Sequence, residues 1–228
     1  MDREIIAVVF DMDGVLFDTE KLFLDTYKEV AEEKGMVYLE KAVMGCIGLN
    51  IKDTEALFQR EYGGDFPFAE YHALCTERAR RKIEEHGLPM KAGVRALLTY
   101  LKEEGYRIAL ASSTSRRGVL GHLARAEITG FFEVIIGGDM VERGKPEPDI
   151  YLRACEELGT APANTIAIED SPNGIRSAYA AGLKPIMVPD LIAPTPEIER
   201  LLYAKCESLM SVKELLLKKK ESAVCTAE

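Results

Sequence analysis

Short apolar runs alternate with helix-length segments along most of this chain, and that alternation restricts the fold more than any other feature. The runs cover residues 5–10, 108–111, 134–136, 165–168 and 185–188. Each has the length of a strand and is nearly continuously apolar, the pattern of a strand buried on both faces of a parallel sheet. Segments 94–104, 150–158 and 174–181 read as helices. Each is followed by a glycine (Gly105, Gly159, Gly182), the residue that closes a helix in the left-handed conformation. The repeated order of helix, glycine and strand predicts an α/β fold, with a Rossmann-like core around a mainly parallel sheet.

One stretch interrupts the alternation. Between residues 17 and 89 no buried strand is recognisable, and amphipathic helical patterns occupy 21–34, 53–62 and 69–86. The span is too long for a single crossover, so an inserted α-helical cap domain is the simplest account. The expected division is a discontinuous core, 1–16 with 90–228, and a helical cap at 17–89.

Composition excludes several function classes. A net charge of −9 disfavours a nucleic-acid partner or an anionic membrane surface. No stretch approaches the roughly 18 apolar residues that would span a bilayer. The five cysteines are scattered without a CxxC pair, as expected of free thiols in a reducing compartment. The three histidines lack metal-ligand spacing. A cytoplasmic protein is expected, monomeric or a weak homodimer.

Four polar signals fall where predicted strands end, the edge at which open α/β sheets bind ligands. Asp11-Met12-Asp13-Gly14-Val15 follows the first run. Residues two apart in extended chain share a direction, so Asp11 and Asp13 are expected to project together. Ser112-Ser113-Thr114 follows the second run and opens a helix, a place where hydroxyls and backbone N–H groups suit a phosphate oxygen. Gly144-Lys145-Pro146-Glu147-Pro148 holds a lysine in a stiffened loop. Glu169-Asp170-Ser171 sets two acids after the fourth run. Each signal alone also has an ordinary structural reading as a turn, a helix cap or a surface lysine. Together they converge on one sheet edge.

The ordered set Asp11-x-Asp13-Gly14-Val15, Ser112, Gly144-Lys145-Pro146 and Glu169-Asp170 resembles the haloacid dehalogenase-like hydrolase superfamily. The likeness runs over essentially the whole chain and is strongest to the branch of small-molecule phosphatases and β-phosphoglucomutases, whose helical cap follows the first strand. The resemblance implies a phosphoric monoester hydrolase. It implies that Asp11 attacks phosphorus and forms an aspartyl-phosphate, and that Asp13 protonates the leaving alcohol and then activates the next acceptor. The resemblance further implies that Ser112 and the N–H of Ser113 bind phosphate oxygens and that Lys145 neutralises Asp11 and the phosphoryl group. It implies Mg²⁺ held by Asp11, the backbone carbonyl of Asp13, and Asp170, with Glu169 as a ligand or as a partner behind the ligands.

Charge leads to the same cofactor independently. Four carboxylates against one lysine would repel a phosphate dianion, and a divalent cation together with a proton on Asp13 cancels the excess. Mg²⁺ suits an all-oxygen site that shares a phosphate ligand.

Position 13 separates the branches. Dehalogenases do not use this acid, whereas phosphatases and phosphomutases both need it. The mutase pattern usually adds a His in the helix after the nucleophile and an Arg in a cap loop, and spacing puts Phe23 and Ile51 at those positions. Neither can hold a distal phosphate, although Asn50 or Lys52 is close enough to substitute. Hydrolysis of a small phosphorylated metabolite is therefore the favoured reading. A β-phosphoglucomutase-like phosphomutase is the alternative, and a non-catalytic binding protein on the same fold is the second.

Overall fold

The computed structural model of the chain describes residues 5–46 and 51–225, with side chains described for 5–46 and 54–220. Among the described residues six strands form one parallel sheet: β1 (Ala7–Phe10), β2 (Arg107–Ser112), β3 (Val134–Gly137), β4 (Thr165–Glu169), β5 (Lys184–Met187) and β6 (Ala204–Lys205). Their order across the sheet is β3-β2-β1-β4-β5-β6. The fold is the expected α/β class. All four residues of β1 are fully buried, which is why its sequence shows no polar face.

The chain divides into two compact units, Met1–Phe17 with Met90–Glu228, and Asp18–Pro89. The second unit is helical: α1 (Thr19–Glu33), α2 (Glu40–Met44), α3 (Ile51–Tyr62) and α4 (Phe68–His86). Its core is aromatic. Tyr27, Phe58, Phe68 and Tyr71 are buried together, and the Phe58 and Tyr62 rings stack at 5.4 Å. Tyrosines bring hydroxyls into that core, and each finds a partner. Tyr71 Oη donates to the Tyr27 carbonyl at 2.6 Å, and the Tyr62 hydroxyl accepts from the Leu39 N–H at 2.8 Å. Phe23 is half-buried against Tyr27, ring centres 4.1 Å apart. On α4, Arg78, Arg80 and Lys82 pair with Glu33, Glu77, Glu84 and Glu29, so these cations belong to solvated ion pairs within the unit. Asn50 and the side chains of Ile51 and Lys52 lie outside the described residues.

In the α/β unit the remaining helices are α5 (Val94–Glu103), α6 (Arg116–Arg125), α7 (Asp149–Leu158), α8 (Pro172–Ala180), α9 (Pro196–Glu199) and α10 (Leu209–Cys225). Helix α7 buries Ile150, Tyr151, Ala154 and Leu158 with alanines and valines of the sheet. Helix α8 begins at Pro172, two residues before the expected start. The reason is local: Ser171 caps it, its Oγ accepting from the Gly174 N–H at 3.1 Å, and Pro172 stands at the first helical position. Among the described residues no helix is long and apolar enough to cross a membrane. Cys46, Cys75, Cys155 and Cys206 are buried free thiols.

Candidate active site

Strand register assembles the site. Phe10 of β1 pairs with Leu110 on one side and Ile168 on the other. The next residues, Asp11, Ala111 and Glu169, therefore stand side by side at the carboxyl edge of the sheet. The Asp11 N–H continues the ladder by donating to the Ile168 carbonyl at 3.0 Å. Because β1 stops at Phe10, the two-residue alternation of a strand does not extend to Asp13, and the two acids of the first motif meet different partners.

Lys145 occupies the centre of the cluster. Its Nζ donates to Asp11 Oδ1 at 2.5 Å, to Glu169 Oε1 at 2.6 Å and to the Ala111 carbonyl at 3.3 Å. The side chain is 8% exposed, and the ammonium lies 5.2 Å from the centre of the Tyr151 ring. The loop that delivers it is braced at both ends. Arg143 grips Asp149 with two hydrogen bonds, 3.1 and 2.9 Å, and buried Ser177 on α8 donates to the Glu147 carbonyl at 2.6 Å. A lysine has about 2 kcal/mol of rotamer entropy to lose on being fixed. Three acceptors and a ring face at a stiff loop offset that loss.

Glu169 is fully buried, and both its oxygens are engaged. Oε1 accepts from Lys145 and from the Tyr151 hydroxyl at 2.7 Å. Oε2 accepts from the Asp170 and Ser171 N–H groups at 3.2 and 3.3 Å and from Ser171 Oγ at 3.1 Å. A side chain at position 174 would overlap this carboxylate, its Cβ falling 1.8 Å from Oε1, so Gly174 makes the space. The sequence reading missed the contacts of Tyr151 and Gly174 with Glu169, and it placed Ser171 beside the two acids without a role. A tyrosine on an apolar helix face carries no local sign that its hydroxyl reaches a carboxylate.

Asp170 approaches the backbone at Gly14, whose φ is +74°. Carboxylate oxygens of Asp11, Glu169 and Asp170 lie within 4.8 Å of one another, all three residues buried. Such an all-oxygen group fits a hard divalent cation. The Asp13 carboxylate is not part of it; the expectation for Asp13 concerns its backbone carbonyl.

Ser112 ends β2 fully buried, and Ser113 is exposed beside it. The Thr114 N–H donates to Ser112 Oγ at 3.1 Å. Asp13 Oδ2 accepts from Thr114 Oγ1 at 3.2 Å and lies 3.5 Å from Ser112 Oγ.

The electrostatics are those of a site short of positive charge. Burial pushes the Asp11 carboxyl up to about 8 against the pull of Lys145, and the nearby Glu169 and Asp13 push it further the same way. Burial also works against the charged form of Lys145, but the Asp11 and Glu169 carboxylates outweigh it and hold the ammonium above its ordinary range. Lys145 keeps its charge, yet a single cation among three crowded acids leaves Asp11 hard to ionise.

The sequence of residues 8–188 matches the family described as haloacid dehalogenase-like hydrolase. The chain belongs to that family. Within it, the chain is 33% identical over 210 residues to a phosphorylated carbohydrates phosphatase of Thermotoga maritima, a match covering 92% of this chain and 96% of the relative. It is 28% identical to hexitol phosphatase B of Escherichia coli K12, over 95% of this chain and 96% of that one. A crystal structure of a haloacid dehalogenase family hydrolase from Deinococcus radiodurans, with bound phosphate and sodium, superposes with a TM-score of 0.81 at 27% identity, covering 95% of this chain and 97% of the other. The match spans both strand-end signals around β1 and β4, so the hydrolase family and the buried cluster coincide along the chain.

Proposed function

We propose that the chain is a Mg²⁺-dependent phosphatase acting on a small organophosphate monoester, a sugar phosphate or similar metabolite, through an aspartyl-phosphate on Asp11. The observation that carries the reading is the clamp of Asp11, Lys145 and Glu169 at the carboxyl edge, a buried carboxylate held in one orientation by a cation that is itself held from behind.

Phosphate monoester hydrolysis is among the slowest uncatalysed reactions, calling for accelerations up to ~10²¹-fold. A carboxylate nucleophile divides it into two easier displacements. In the first, Asp11 attacks phosphorus, the ester P–O bond breaks, and Asp13 gives its proton to the leaving alkoxide. In the second, water attacks the aspartyl-phosphate, its proton passes to Asp13, and phosphate leaves with Asp11 regenerated. Buried Ser112 and the Ser113 N–H receive phosphoryl oxygens, and Lys145 neutralises charge on Asp11 and the phosphoryl group.

Asp11, Asp170 and the Asp13 carbonyl would hold Mg²⁺. The five hydrogen bonds on Glu169 favour it as the anchor of Lys145 behind them. The chemistry a bound Mg²⁺ supplies is neutralisation of the clustered carboxylates and of the transferring group. The helical unit is read as the cap that selects the substrate. Phe23, tied into the aromatic core of that unit, supports water over a second hydroxyl as acceptor, because it offers no charge to a distal phosphate.

The decisive experiment is phosphate release from a panel of sugar phosphates and an aryl phosphate, with and without Mg²⁺, for wild type and Asp11→Asn. Release that needs both the metal and Asp11 is expected. Release unchanged in Asp11→Asn sinks the mechanism, and no release from any substrate points to a binding protein. Isomerisation of β-glucose 1-phosphate faster than its hydrolysis, with a trace of bisphosphate present, moves the reading to a phosphomutase.

A further inference from the structure

Thr114 closes the Ser112-Ser113-Thr114 signal without a role of its own in the proposed chemistry, yet its side chain reaches Asp13. Three observations fix it there. Its Oγ1 donates to Asp13 Oδ2 at 3.2 Å. Its own N–H holds Ser112 Oγ at 3.1 Å, so the same residue steadies a second hydroxyl beside Asp13, 3.5 Å from the same Oδ2. Its methyl packs over Gly118 in the first turn of α6, where a Cβ would come within 3.0 Å of it. A β-branched side chain has few χ1 choices, and contact on the methyl side commits the hydroxyl to the other.

We infer that Thr114 is a positioning residue for Asp13, aiming its carboxyl so that proton transfer to the leaving group comes from Oδ1. A hydroxyl donating to Oδ2 occupies that oxygen as an acceptor, and the transferable proton then belongs on Oδ1. Without the Thr114 hydroxyl only the longer Ser112 contact, 3.5 Å, remains on Oδ2, and proton transfer depends steeply on such alignment. The inference rests on the reading of Asp13 as general acid. In the step concerned the ester P–O bond breaks, the Asp11–phosphorus bond forms, and the Asp13 proton ends on the departing oxygen.

Leaving-group dependence separates aim from architecture. An alkyl phosphate expels a strongly basic alkoxide and needs the proton. p-Nitrophenyl phosphate expels a weakly basic phenolate and hardly needs it. The value of kcat/KM, which covers binding and the first displacement but not hydrolysis of the aspartyl-phosphate, is measured on both with Thr114→Val, Thr114→Ser and Asp13→Asn. For Thr114→Val a fall of about tenfold or more is expected on the alkyl ester, within the ~10²–10⁴ that general acid catalysis contributes, and a much smaller fall on the aryl ester. Thr114→Ser, which keeps the hydroxyl, restores most of the alkyl activity. Equal losses on both esters in Thr114→Val, or none on either, overturn the inference while a selective loss in Asp13→Asn leaves the acid role standing. If Asp13→Asn itself shows no selectivity, the acid role fails first and the inference with it. If Thr114→Val does not fold, the Ser variant decides: alkyl activity as low as that of Asp13→Asn overturns the inference, and alkyl activity near wild type supports it.

Discussion

A Cβ atom on Gly14 would stand 2.0 Å from Oδ2 of Asp170. The first motif and the last are therefore in direct contact through the bare backbone of one glycine. Its φ of +74° adds a second demand for the same residue. Gly14→Ala is expected to displace the Asp170 carboxylate and to add about 1–2 kcal/mol of left-handed backbone strain. Activity should fall severely, and the Mg²⁺ concentration giving half-maximal rate should rise. A metal titration of phosphate release tests this, and an unchanged midpoint in the variant would show that Asp170 does not hold the ion.

Tyr151 makes its case through Glu169. Tyr151→Phe keeps the ring beneath Lys145 and removes only the hydroxyl that donates to Oε1 at 2.7 Å. Both the ring and the carboxylate are fully buried, so no water replaces the lost donor easily. A hydrogen bond to a charged group contributes about 1.5–3 kcal/mol, and a loss of that order is expected in urea unfolding. The catalytic rate should fall as well, since Lys145 loses part of its backing. A variant as stable and active as wild type would reduce Tyr151 to simple packing.

These two contacts mark where the sequence stops being legible. Strands such as β1 and β4 announce themselves because burial on both faces leaves only apolar residues. Asp11 and Asp170 announce themselves as acids directly after apolar strands, and Lys145 as a cation held between a glycine and a proline. Tyr151 does not, because it reaches Glu169 from 18 residues away, and Gly174 does not, because the carboxylate it makes room for folds back over the first turn of α8 only in three dimensions. Helix α6 is fainter than its neighbours, since Gly118 and Gly121 are poor helix formers and only Val119 and Leu123 are buried on it. The short helix α2 has too few turns to show a period.

The helical unit carries a pH dependence of its own. His72 Nδ1 on α4 shares a hydrogen bond with the Tyr27 hydroxyl, 2.5 Å away, and its ring stacks on Phe68 at 5.3 Å. Burial holds its pKa below the ordinary value of about 6.5. Below that pH the unfolded chain takes up a proton that the folded imidazole resists. The contribution is thus complete above about pH 6.5 and is lost as pH falls toward the lowered folded value. Urea midpoints should drop between about pH 7.5 and pH 5.5 by more in wild type than in His72→Gln, which cannot titrate. Parallel midpoints for the two proteins would remove His72 from the account.

Removing the metal should expose how crowded the acids are. Asp11, Glu169 and Asp170 share one cluster with a single ammonium, and burial already drives Asp11 up to about 8. A cation that binds only the folded protein stabilises it by mass action, about 2.7 kcal/mol at a hundredfold excess over Kd. Mg²⁺ should therefore raise the wild-type melting temperature, and EDTA should lower it. Asp170→Asn takes one charge out of the cluster at nearly constant shape. It should lose most of the Mg²⁺-dependent rise, yet melt no lower than wild type in EDTA, because less repulsion remains to be relieved. Melting curves of both proteins in the two conditions test the sign of each effect. If Asp170→Asn melts well below wild type in EDTA, Asp170 is chiefly a structural acceptor, and the cluster holds together without needing the ion.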